Sequence, residues 1–503
     1  MRLAIRGKAR IALAALGLVA AASLGPVLSP AGASADTGTE STYLVLYHAG
    51  AGTTGAASAV SAAGGTLIAQ YAEIGVVIAR SSSSGFAAAM NRTANVDGAV
   101  VTRSFGARLH EDQAADDAAA AAAAPTVWGD RLSGLQWDMT QINVPQAHAV
   151  NAGSPSVLVG DIDTGLDFTH PDLAANYDAA HSADCTSGVA GPLLVGNDQE
   201  GHGTHTAGTI AAAADGNGIV GVAPHVKIAG IRAGNADGYF FPEAVVCAFM
   251  WAGNNGVDIT NNSYFADPWL YNCKNDPEQR AIWNAERRAI SYAQSKGVLV
   301  ISSEGNDSTD LSHPSVDPIS PDFPPKSEVE RNVTNACAVV PVEVPGVVGV
   351  TATGNLRLKS FYSSYGISTA DVAAPGGDSI LQRTAAAPNG RVLSTYPANK
   401  MSKCLRPVVD PVSGGTYCYL QGTSMAGPHA VGVAALIRSV QGGASQGQLA
   451  AALQRATNHL PCPDTSIYAA FPQFSGEPQT CQGGVAHNSF YGSGEVDALK
   501  AVS

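Results

Sequence analysis

Beyond about Gln136, short apolar runs alternate with longer helix-like stretches. Five runs are rich in β-branched residues and carry apolar side chains at successive positions, as strands buried on both faces of a parallel sheet do: 157–163, 226–232, 257–263, 298–302 and 347–351. Helices are predicted at 242–253, 277–294 and 423–441. This alternation predicts a doubly wound α/β domain, with a mostly parallel sheet, helices on both faces and a site beyond the carboxyl ends of the strands.

The preceding part of the chain has a different pattern. Strands are predicted at 42–47, 66–70, 75–79 and 99–103, and helices at 56–63 and 84–92. This β-α-β-β-α-β order predicts a small α+β unit in which two helices cover an antiparallel sheet. Residues 110–134 are rich in alanine and acidic residues and too poor in large apolar side chains to pack, so they form an exposed linker. Such a linker is either cut during maturation or a passive tether.

The first 35 residues have the pattern of a secretory signal peptide. Four basic residues among the first ten precede an apolar stretch, and Ala33-Ser-Ala35 offers a small-residue cleavage site. A membrane anchor is the alternative, but the apolar run is short and interrupted by glycine and proline. We therefore expect a secreted, extracellular protein without membrane association after signal removal.

Charge and cysteine content narrow the function further. The formal net charge is −13, from 28 Lys and Arg against 41 Asp and Glu, which argues against a nucleic-acid partner. All eight cysteines follow the signal region, and an even number in an exported chain favours disulfides. Their connectivity does not follow from sequence, although Cys404 with Cys418, and Cys462 with Cys481, are close enough to close single loops.

Two motifs at predicted strand and helix ends each allow two interpretations. Asp163, in Gly160-Asp-Ile-Asp-Thr-Gly165, is either a catalytic carboxylate or a turn residue. An aspartic protease would need a second D-T-G or D-S-G, which the sequence lacks. His202 and His205 have zinc-ligand spacing, but no Glu stands between them, and the flanking glycines favour a general base packed against substrate.

The third motif is Gln421-Gly-Thr-Ser-Met-Ala-Gly-Pro-His429, which places Ser424 in the first turn of an apolar helix. A serine there is commonly a cap. As a nucleophile, it would have helix amides and the helix dipole beside a developing negative charge.

Together, the three motifs resemble the signatures of the subtilisin family: D-x-D-T-G, G-H-G-T-H-x-A-G and G-T-S-M-A-x-P-H, in the order Asp163, His202, Ser424. The resemblance extends from about Gln136 to the C-terminus, and residues 42–104 resemble the family's inhibitory, folding-assisting prosegment. It implies a signal peptide at 1–35, a prosegment at 36–109, a linker with a processing region at 110–135 and a subtilisin-like catalytic domain at 136–503.

The resemblance also implies site residues. Asp163, His202 and Ser424 would form the catalytic triad, with Asn306 in the oxyanion hole. The walls of the substrate pocket would be Asn262, Ser263, Tyr264, Ser303, Glu304 and Gly305. A structural Ca²⁺ would be held by Asp172, Ala213, Asp215, Asn217 and Ile219, unless this loop is only a turn; no organic cofactor is implied.

We therefore expect a monomeric serine endopeptidase that cleaves proteins or peptides through an acyl-enzyme and is inhibited by its own prosegment. Tyr264-Phe265-Ala266 departs from the Leu-Gly-Gly of many relatives, and Phe265 should crowd the cleft. A processing protease of narrow specificity, such as a leader-peptide protease, is therefore an alternative. The other alternative is a catalytically silent binding protein.

Overall fold

The structure, a computed structural model, describes residues 39–102 and 127–503. The expected signal peptide lies outside the described residues, as do both ends of the expected prosegment and positions 110–126 of the linker. Within the described residues, no helix combines the length and apolar character needed to cross a bilayer.

The N-terminal unit has the predicted β-α-β-β-α-β order and an antiparallel sheet of order β2-β3-β1-β4. Its elements are β1 (Ser41–Tyr47), α1 (Ala56–Ala62), β2 (Gly65–Tyr71), β3 (Val76–Ser81), α2 (Phe86–Met90) and β4 (Val96–Val101). Side chains alternate between the two faces of β1. Tyr43 and Val45 pack among residues of α1 and α2, whereas Leu44 and Leu46 pack on the opposite side.

The main sheet has nine strands in the order β19-β22-β15-β14-β10-β8-β5-β7-β6, parallel except for the pair β19 and β22. The strands are β5 (Leu158–Asp163), β6 (Ala183–Asp184), β7 (Lys227–Arg232), β8 (Ile259–Asn262), β10 (Leu299–Ser303), β14 (Val348–Thr353), β15 (Ala370–Pro375), β19 (Thr457–Asn458) and β22 (Glu495–Val496). All five predicted strands are confirmed, with ends that shift by no more than two residues.

Helices cover both faces of this sheet, as predicted. They are α3 (Trp137–Gln141), α4 (Val144–His148), α5 (Pro171–Ala174), α6 (His202–Ala211), α7 (Pro242–Asn254), α8 (Pro277–Ser295), α9 (Thr423–Val440), α10 (Gln446–Arg455) and α11 (Ala498–Val502). Val159 packs on the side of α6 and α9, while its neighbour Leu158 packs on the side of α7 and α8. The successive apolar residues of the strands thus fill two separate cores.

Short strands and 3-10 helices lie outside the main sheet and its covering helices. Antiparallel pairs join β9 (Asn272–Cys273) to β13 (Cys337–Ala338), β11 (Val316–Asp317) to β12 (Arg331–Asn332) and β20 (Gly483–Gly484) to β21 (His487–Asn488), and a third sheet contains β16 (Val392–Thr395), β17 (Pro407–Val409) and β18 (Thr416–Leu420). Short 3-10 helices are Ser133–Leu135, Ala398–Lys403 and Thr465–Tyr468. The eight cysteines pair as 185–247, 273–337, 404–418 and 462–481, which includes both local pairs.

The N-terminal unit packs on α7 and α8 through the outer face of its sheet. Leu44, Leu46 and Val100 share one apolar cluster with residues of both helices. Arg288 of α8 donates hydrogen bonds to the carbonyl oxygens of Tyr47 (2.8 Å) and Ile74 (3.1 Å). Helices α7 and α8 are therefore covered on both sides, by the main sheet and by the small one.

The sheet order places β5 at a topological switch point. β7 pairs with one edge of β5 and β8 with the other, so the chain departs in opposite directions from this strand. A crevice forms where the order reverses, beyond the carboxyl ends of parallel strands. Asp163 is the last residue of β5 and therefore lies at this crevice.

Candidate active site

Asp163 and His202 are brought into contact by the end of a strand and the start of a helix. His202 is the first residue of α6, and its Nδ1 lies 2.7 Å from Oδ1 of Asp163. The same oxygen accepts a hydrogen bond from the backbone N–H of Thr164. Both side chains are buried, so the carboxylate holds the imidazole in one orientation, with Nε2 on the far side of the ring.

Glycine is required for this approach. A Cβ on Gly203 would overlap the carbonyl oxygen of Gly165 and lie 3.0 Å from Cβ of Asp163. A Cβ on Gly201 would overlap the ring of Tyr396, and Gly201 has a φ of +105°. The glycines around His202 therefore let the helix start against the strand end.

Asp198 fixes the same junction and was not identified from the sequence. Its Oδ1 accepts hydrogen bonds from Thr164 Oγ1 (3.0 Å) and the N–H of Gly201 (2.8 Å). Its Oδ2 accepts from both the N–H and the hydroxyl of Thr204. One carboxylate thus ties the residue after Asp163 to both sides of His202. An isolated Asp in a loop carries no sequence signal for this role.

Ser424 is the second residue of α9 and lines a cleft at the carboxyl ends of the strands. Its hydroxyl donates a hydrogen bond to the carbonyl oxygen of Ser263 (3.2 Å), and the hydroxyl of Ser263 donates to the carbonyl oxygen of Ser424 (3.2 Å). Ser424 is buried, with 7% of the residue's area exposed.

Asn306 lines the same cleft just after β10. Its Oδ1 accepts hydrogen bonds from the N–H and the hydroxyl of Thr423, both at 2.9 Å. Thr423 precedes Ser424, so the carboxamide is positioned by the residue next to the serine. With Oδ1 engaged, the Nδ2 hydrogens are the donors that remain for a group in the cleft.

A second buried Asp–His pair supports the serine-bearing helix from behind. His429 Nε2 lies 3.0 Å from Oδ2 of Asp138, and its Nδ1 lies 2.8 Å from the carbonyl oxygen of Met425. Both side chains are fully buried. The pair joins α3 to α9. Because the two residues are 291 positions apart in the sequence, no local sequence pattern predicts their contact.

Two strand ends form the cleft walls, and apolar side chains complete it. The lining residues are Ser263, Tyr264, Phe265, Leu270, Ser303, Glu304, Gly305, Asn306, Asp307, Ile319, Val339, Thr423 and Ser424. Five of the six predicted pocket residues are among them. The sixth, Asn262, does not line the cleft: its Nδ2 donates to the carbonyl oxygen of Ile301 (3.0 Å), and its Oδ1 accepts from the hydroxyl of Tyr264 (3.2 Å).

One wall of the cleft consists of aromatic side chains that pack on further aromatic residues behind them. Tyr264 stacks on Phe240 with ring centroids 4.1 Å apart. Phe265, which lines the cleft, packs against the cluster of Tyr239 and Phe241. Phe265, which was predicted to crowd the cleft, is thus part of its lining and is supported from behind by other aromatic side chains.

The two histidines of the H-x-x-H motif have separate partners. Nε2 of His205 lies 3.0 Å from the carbonyl oxygen of Cys418, whereas His202 contacts Asp163. Burial, and secondarily the nearby His202, lowers the pKa of His205 to about 3, so the ring is neutral. Among residues 39–102 and 127–503, no group of three or more His, Cys, Asp or Glu side chains could hold a metal. The geometry therefore favours the general-base interpretation of His202.

The predicted calcium loop presents oxygen atoms without hydrogen-bond donors. Oδ2 of Asp172 accepts from the N–H of Ile219 and the hydroxyl of Tyr417, both at 2.9 Å, but its buried Oδ1 has no hydrogen-bond partner among the described residues. The carbonyl oxygens of Ala213, Asn217 and Ile219 likewise accept no hydrogen bond from that part of the chain. Carbonyl and carboxylate oxygens are the ligands that Ca²⁺ prefers, so this donor set fits the ion.

Comparison with known proteins agrees with this geometry. A model described as Subtilase family matches residues 154–494, which is more than half of the chain. Fervidolysin from Fervidobacterium pennivorans is 31% identical over 326 residues, covering 62% of this chain and 38% of that protein. Subtilisin BL from Lederbergia lenta is 30% identical over 305 residues, covering 60% of this chain and 84% of that protein.

A solved structure has a similar fold. The crystal structure of the epidermin leader peptide processing serine protease from Staphylococcus aureus superposes with a TM-score of 0.65 and 21% identity, covering 92% of this chain and 98% of that one. At this identity the similarity establishes the fold. The subtilisin-like α/β fold predicted from the sequence is thereby confirmed.

We expect the neutral His205 to make stability depend on pH. Its folded pKa of about 3 lies below the unfolded value of about 6.5, so only the unfolded chain takes up this proton as pH falls below about 6.5. His205 should therefore cost up to about 1.4 kcal/mol of unfolding free energy per pH unit between about pH 6 and 4. Urea unfolding of the Ser424→Ala protein, with and without His205→Gln, measures that slope.

The exposed His48 provides the control, because 59% of its side chain is accessible. His48→Gln should leave the slope unchanged, while His205→Gln should flatten it by up to one proton. Equal slopes in the parent and in His205→Gln would contradict a buried, neutral His205.

Proposed function

Because this chain belongs to the subtilase family of serine endopeptidases, we propose that it is exported, made as an inhibited precursor and active through an acyl-enzyme. Asp163, His202 and Ser424 form the catalytic triad, and Asn306 stabilises the oxyanion. The observation that carries the proposal is the 2.7 Å contact between Asp163 Oδ1 and His202 Nδ1, because it selects the tautomer in which Nε2 is the base.

The first half of the reaction forms the acyl-enzyme. The Ser424 hydroxyl turns from the Ser263 carbonyl to His202, whose Nε2 takes the proton while Oγ attacks the carbonyl carbon of the scissile bond. Asp163 stabilises the resulting imidazolium. The oxyanion accepts hydrogen bonds from Nδ2 of Asn306 and the N–H of Ser424.

The second half releases both products. The C–N bond breaks when the tetrahedral intermediate collapses, and His202 gives its proton to the leaving amine. Water then attacks the ester carbon as His202 takes a proton from it. When this intermediate collapses, the proton returns to Ser424 and the carboxylic acid leaves. Protein or peptide substrates bind extended between the walls at 263–265 and 303–305, as an added strand with alternate side chains in pockets.

The N-terminal unit is proposed to act as an intramolecular inhibitor that is removed on maturation. Its docking on α7 and α8, with Arg288 donating to two of its carbonyl oxygens, supports this role. Its last strand, β4, ends at Val101, and the linker expected to be cut follows in the sequence at 110–135. The signal-like first 35 residues and the four disulfides support export to an oxidising compartment.

A processing protease of narrow specificity remains the second candidate. The aromatic wall of Tyr264 and Phe265 favours it, because a large side chain beside a bound strand excludes bulky neighbours. The structural neighbour from Staphylococcus aureus processes a leader peptide. A cleavage profile on a peptide library separates the candidates: a narrow consensus supports processing, and cleavage at many sequences supports a general endopeptidase.

We expect Ser424→Ala to abolish peptide hydrolysis and labelling by a serine-directed phosphonate, because it removes the nucleophile alone. The chain should cut itself between Ser104 and Trp128, so this variant should keep residues 36–104 when made in a host without other proteases. The matched control is Ser475→Ala, which changes an exposed serine and should mature as the parent does. N-terminal sequencing and mass spectrometry give the result. A Ser424→Ala protein that matures normally in that host would refute self-processing.

We expect Asn306→Ala to lower kcat with little change in KM, because the oxyanion exists only in the transition state. The expected loss is about 10²–10³-fold, the size known for this donor in subtilisin itself and not obtained from this structure. Thr423→Val, which removes one of the two donors to Asn306 Oδ1, should cause a smaller loss. A change confined to KM would make Asn306 a substrate-binding residue instead.

We propose that Ca²⁺ is bound by Asp172, Asp215 and the carbonyl oxygens of Ala213, Asn217 and Ile219, and that it is purely structural. Asp172 follows β5 and Asp215 follows α6, so an ion shared by them would tie together the two elements that carry Asp163 and His202. An ion bound by the native state alone stabilises it by RT ln(1 + [L]/Kd), about 2.7 kcal/mol at a hundredfold excess of free ion over Kd.

Removal of calcium with EGTA should therefore lower the unfolding temperature of the Ser424→Ala protein. Asp215→Ala should reproduce much of that decrease and weaken any further response to EGTA, whereas Asp237→Ala, in an exposed loop, should respond as the parent does. If the parent unfolds at the same temperature with and without EGTA, the loop is an ordinary turn.

A further inference from the structure

Two acidic side chains line the cleft, Glu304 and Asp307, and the catalytic mechanism uses neither. Asp307 lines the cleft together with Ser424 and directly follows Asn306. Its backbone N–H donates to Ser364 Oγ (3.2 Å), which fixes the main chain there. Oδ2 of Asp307 lies 3.7 Å from the position that a Cβ on Gly305 would occupy, so the carboxylate stays close to the wall formed by 303–305.

The carboxylate of Asp307 lacks a partner within the described residues. Within residues 39–102 and 127–503, the only hydrogen bonds of Asp307 are those of its backbone, and no cation there forms an ion pair with its carboxylate. Burial, and secondarily the charge of Asp317, raises the pKa of Asp307 to about 7. Asp307 is partly buried, and a partly buried carboxylate without a partner is less well solvated than one in water, so a cation that enters the cleft gains more there than in water.

The neighbouring acids differ from Asp307. Glu304, which also lines the cleft, is buried, and this burial raises the pKa of its carboxyl group well above the usual range, which favours the neutral form. Asp317 and Asp310 each have a basic partner. Asp317 pairs with Arg331, whose guanidinium also donates to the Tyr271 carbonyl oxygen and is thereby held in place. Asp310 contacts Nδ1 of His313 at 2.9 Å. Arg331 therefore does not neutralise Asp307, and the uncompensated charge of this region lies on the residue that faces the cleft.

The rest of the cleft suits a long side chain with a charged end. Leu270, Ile319 and Val339 contribute apolar surface, and Phe265 adds an aromatic face. Lysine and arginine bury their methylene groups along such surfaces and keep the charge at the end for a carboxylate. A bulky neutral side chain would cover Asp307 without satisfying it.

We propose that Asp307 makes the cleft selective for peptides with arginine or lysine at P1, the residue whose carbonyl is attacked. This inference rests on the proposed function, because it assumes that the cleft beside Ser424 receives the P1 side chain. Asp307 is then a specificity-determining residue, and the substrate class is a peptide with a basic residue before the scissile bond.

Fluorogenic peptides that differ only at P1, with Arg, Lys, Gln, Met or Glu, test the proposal on the mature enzyme. We expect kcat/KM for Arg and Lys to exceed that for Gln and Met by about 10- to 100-fold, the size of one hydrogen bond to a charged group. Asp307→Asn should reduce the Arg-to-Met ratio by a similar factor. Asp310→Asn, which changes a paired acid outside the cleft, should leave this ratio as in the parent.

Inhibition of the parent enzyme by peptide aldehydes with Arg or Met at P1 provides a test that needs no variant. Tighter inhibition by the Arg aldehyde supports the proposal. Equal inhibition, a parent preference for Met, or an Arg-to-Met ratio unaffected by Asp307→Asn overturns it. Titration with the serine-directed phosphonate distinguishes failure of this inference from failure of the proposed function. If Ser424 is labelled but the enzyme does not prefer a basic P1 residue, only this inference is refuted. If Ser424 is not labelled, the proposed function is refuted.

Discussion

The close approach of β5 to α6 is the constraint on which the site depends. A strand end and a helix start meet at Asp163 and His202 only because Gly203 leaves room for the carbonyl oxygen of Gly165. The sheet order creates the place for this meeting, since β5 is the strand where the chain changes direction. Any side chain at residue 203 would push the helix away from the strand end, and the imidazole would lose the carboxylate that orients it.

The serine is held by a different principle, packing within a long helix. Helix α9 is buried in the core, where it packs against the main sheet and α6, so its first turn has little freedom. Ser263 and Asn306, on the ends of two neighbouring strands, contact Ser424 or the residue before it. The nucleophile is therefore positioned by one helix and two strands, which is more rigid than a loop would be.

The sequence predicted the elements whose chemistry is local. Buried parallel strands are recognisable because β-branched residues fill both faces. β15 (Ala370–Pro375) was missed because half of its residues are alanine and only Val372 is β-branched. The motifs indicated Asp163, His202 and Ser424 because each motif, with its characteristic glycines, is a short continuous segment of the sequence. Asp198 and the pair of Asp138 with His429 act across long sequence separations, which no local pattern encodes. Strand alternation likewise turned Asn262 away from the cleft.

Asp172 and Asp307 are two of the described acids whose carboxylate oxygens lack donors, and their surroundings decide which cation each would accept. Asp172 lies in α5 and contacts the loop at 213–219, which adds several carbonyl oxygens, so these groups together can replace most of the hydration shell of a small hard ion. Asp307 has apolar neighbours instead and offers no such set of oxygens. A metal ion there would remain mostly unligated, whereas a guanidinium or ammonium group on an apolar stem satisfies both the carboxylate and the walls. The same electrostatic deficit therefore favours a structural ion at one place and a substrate side chain at the other.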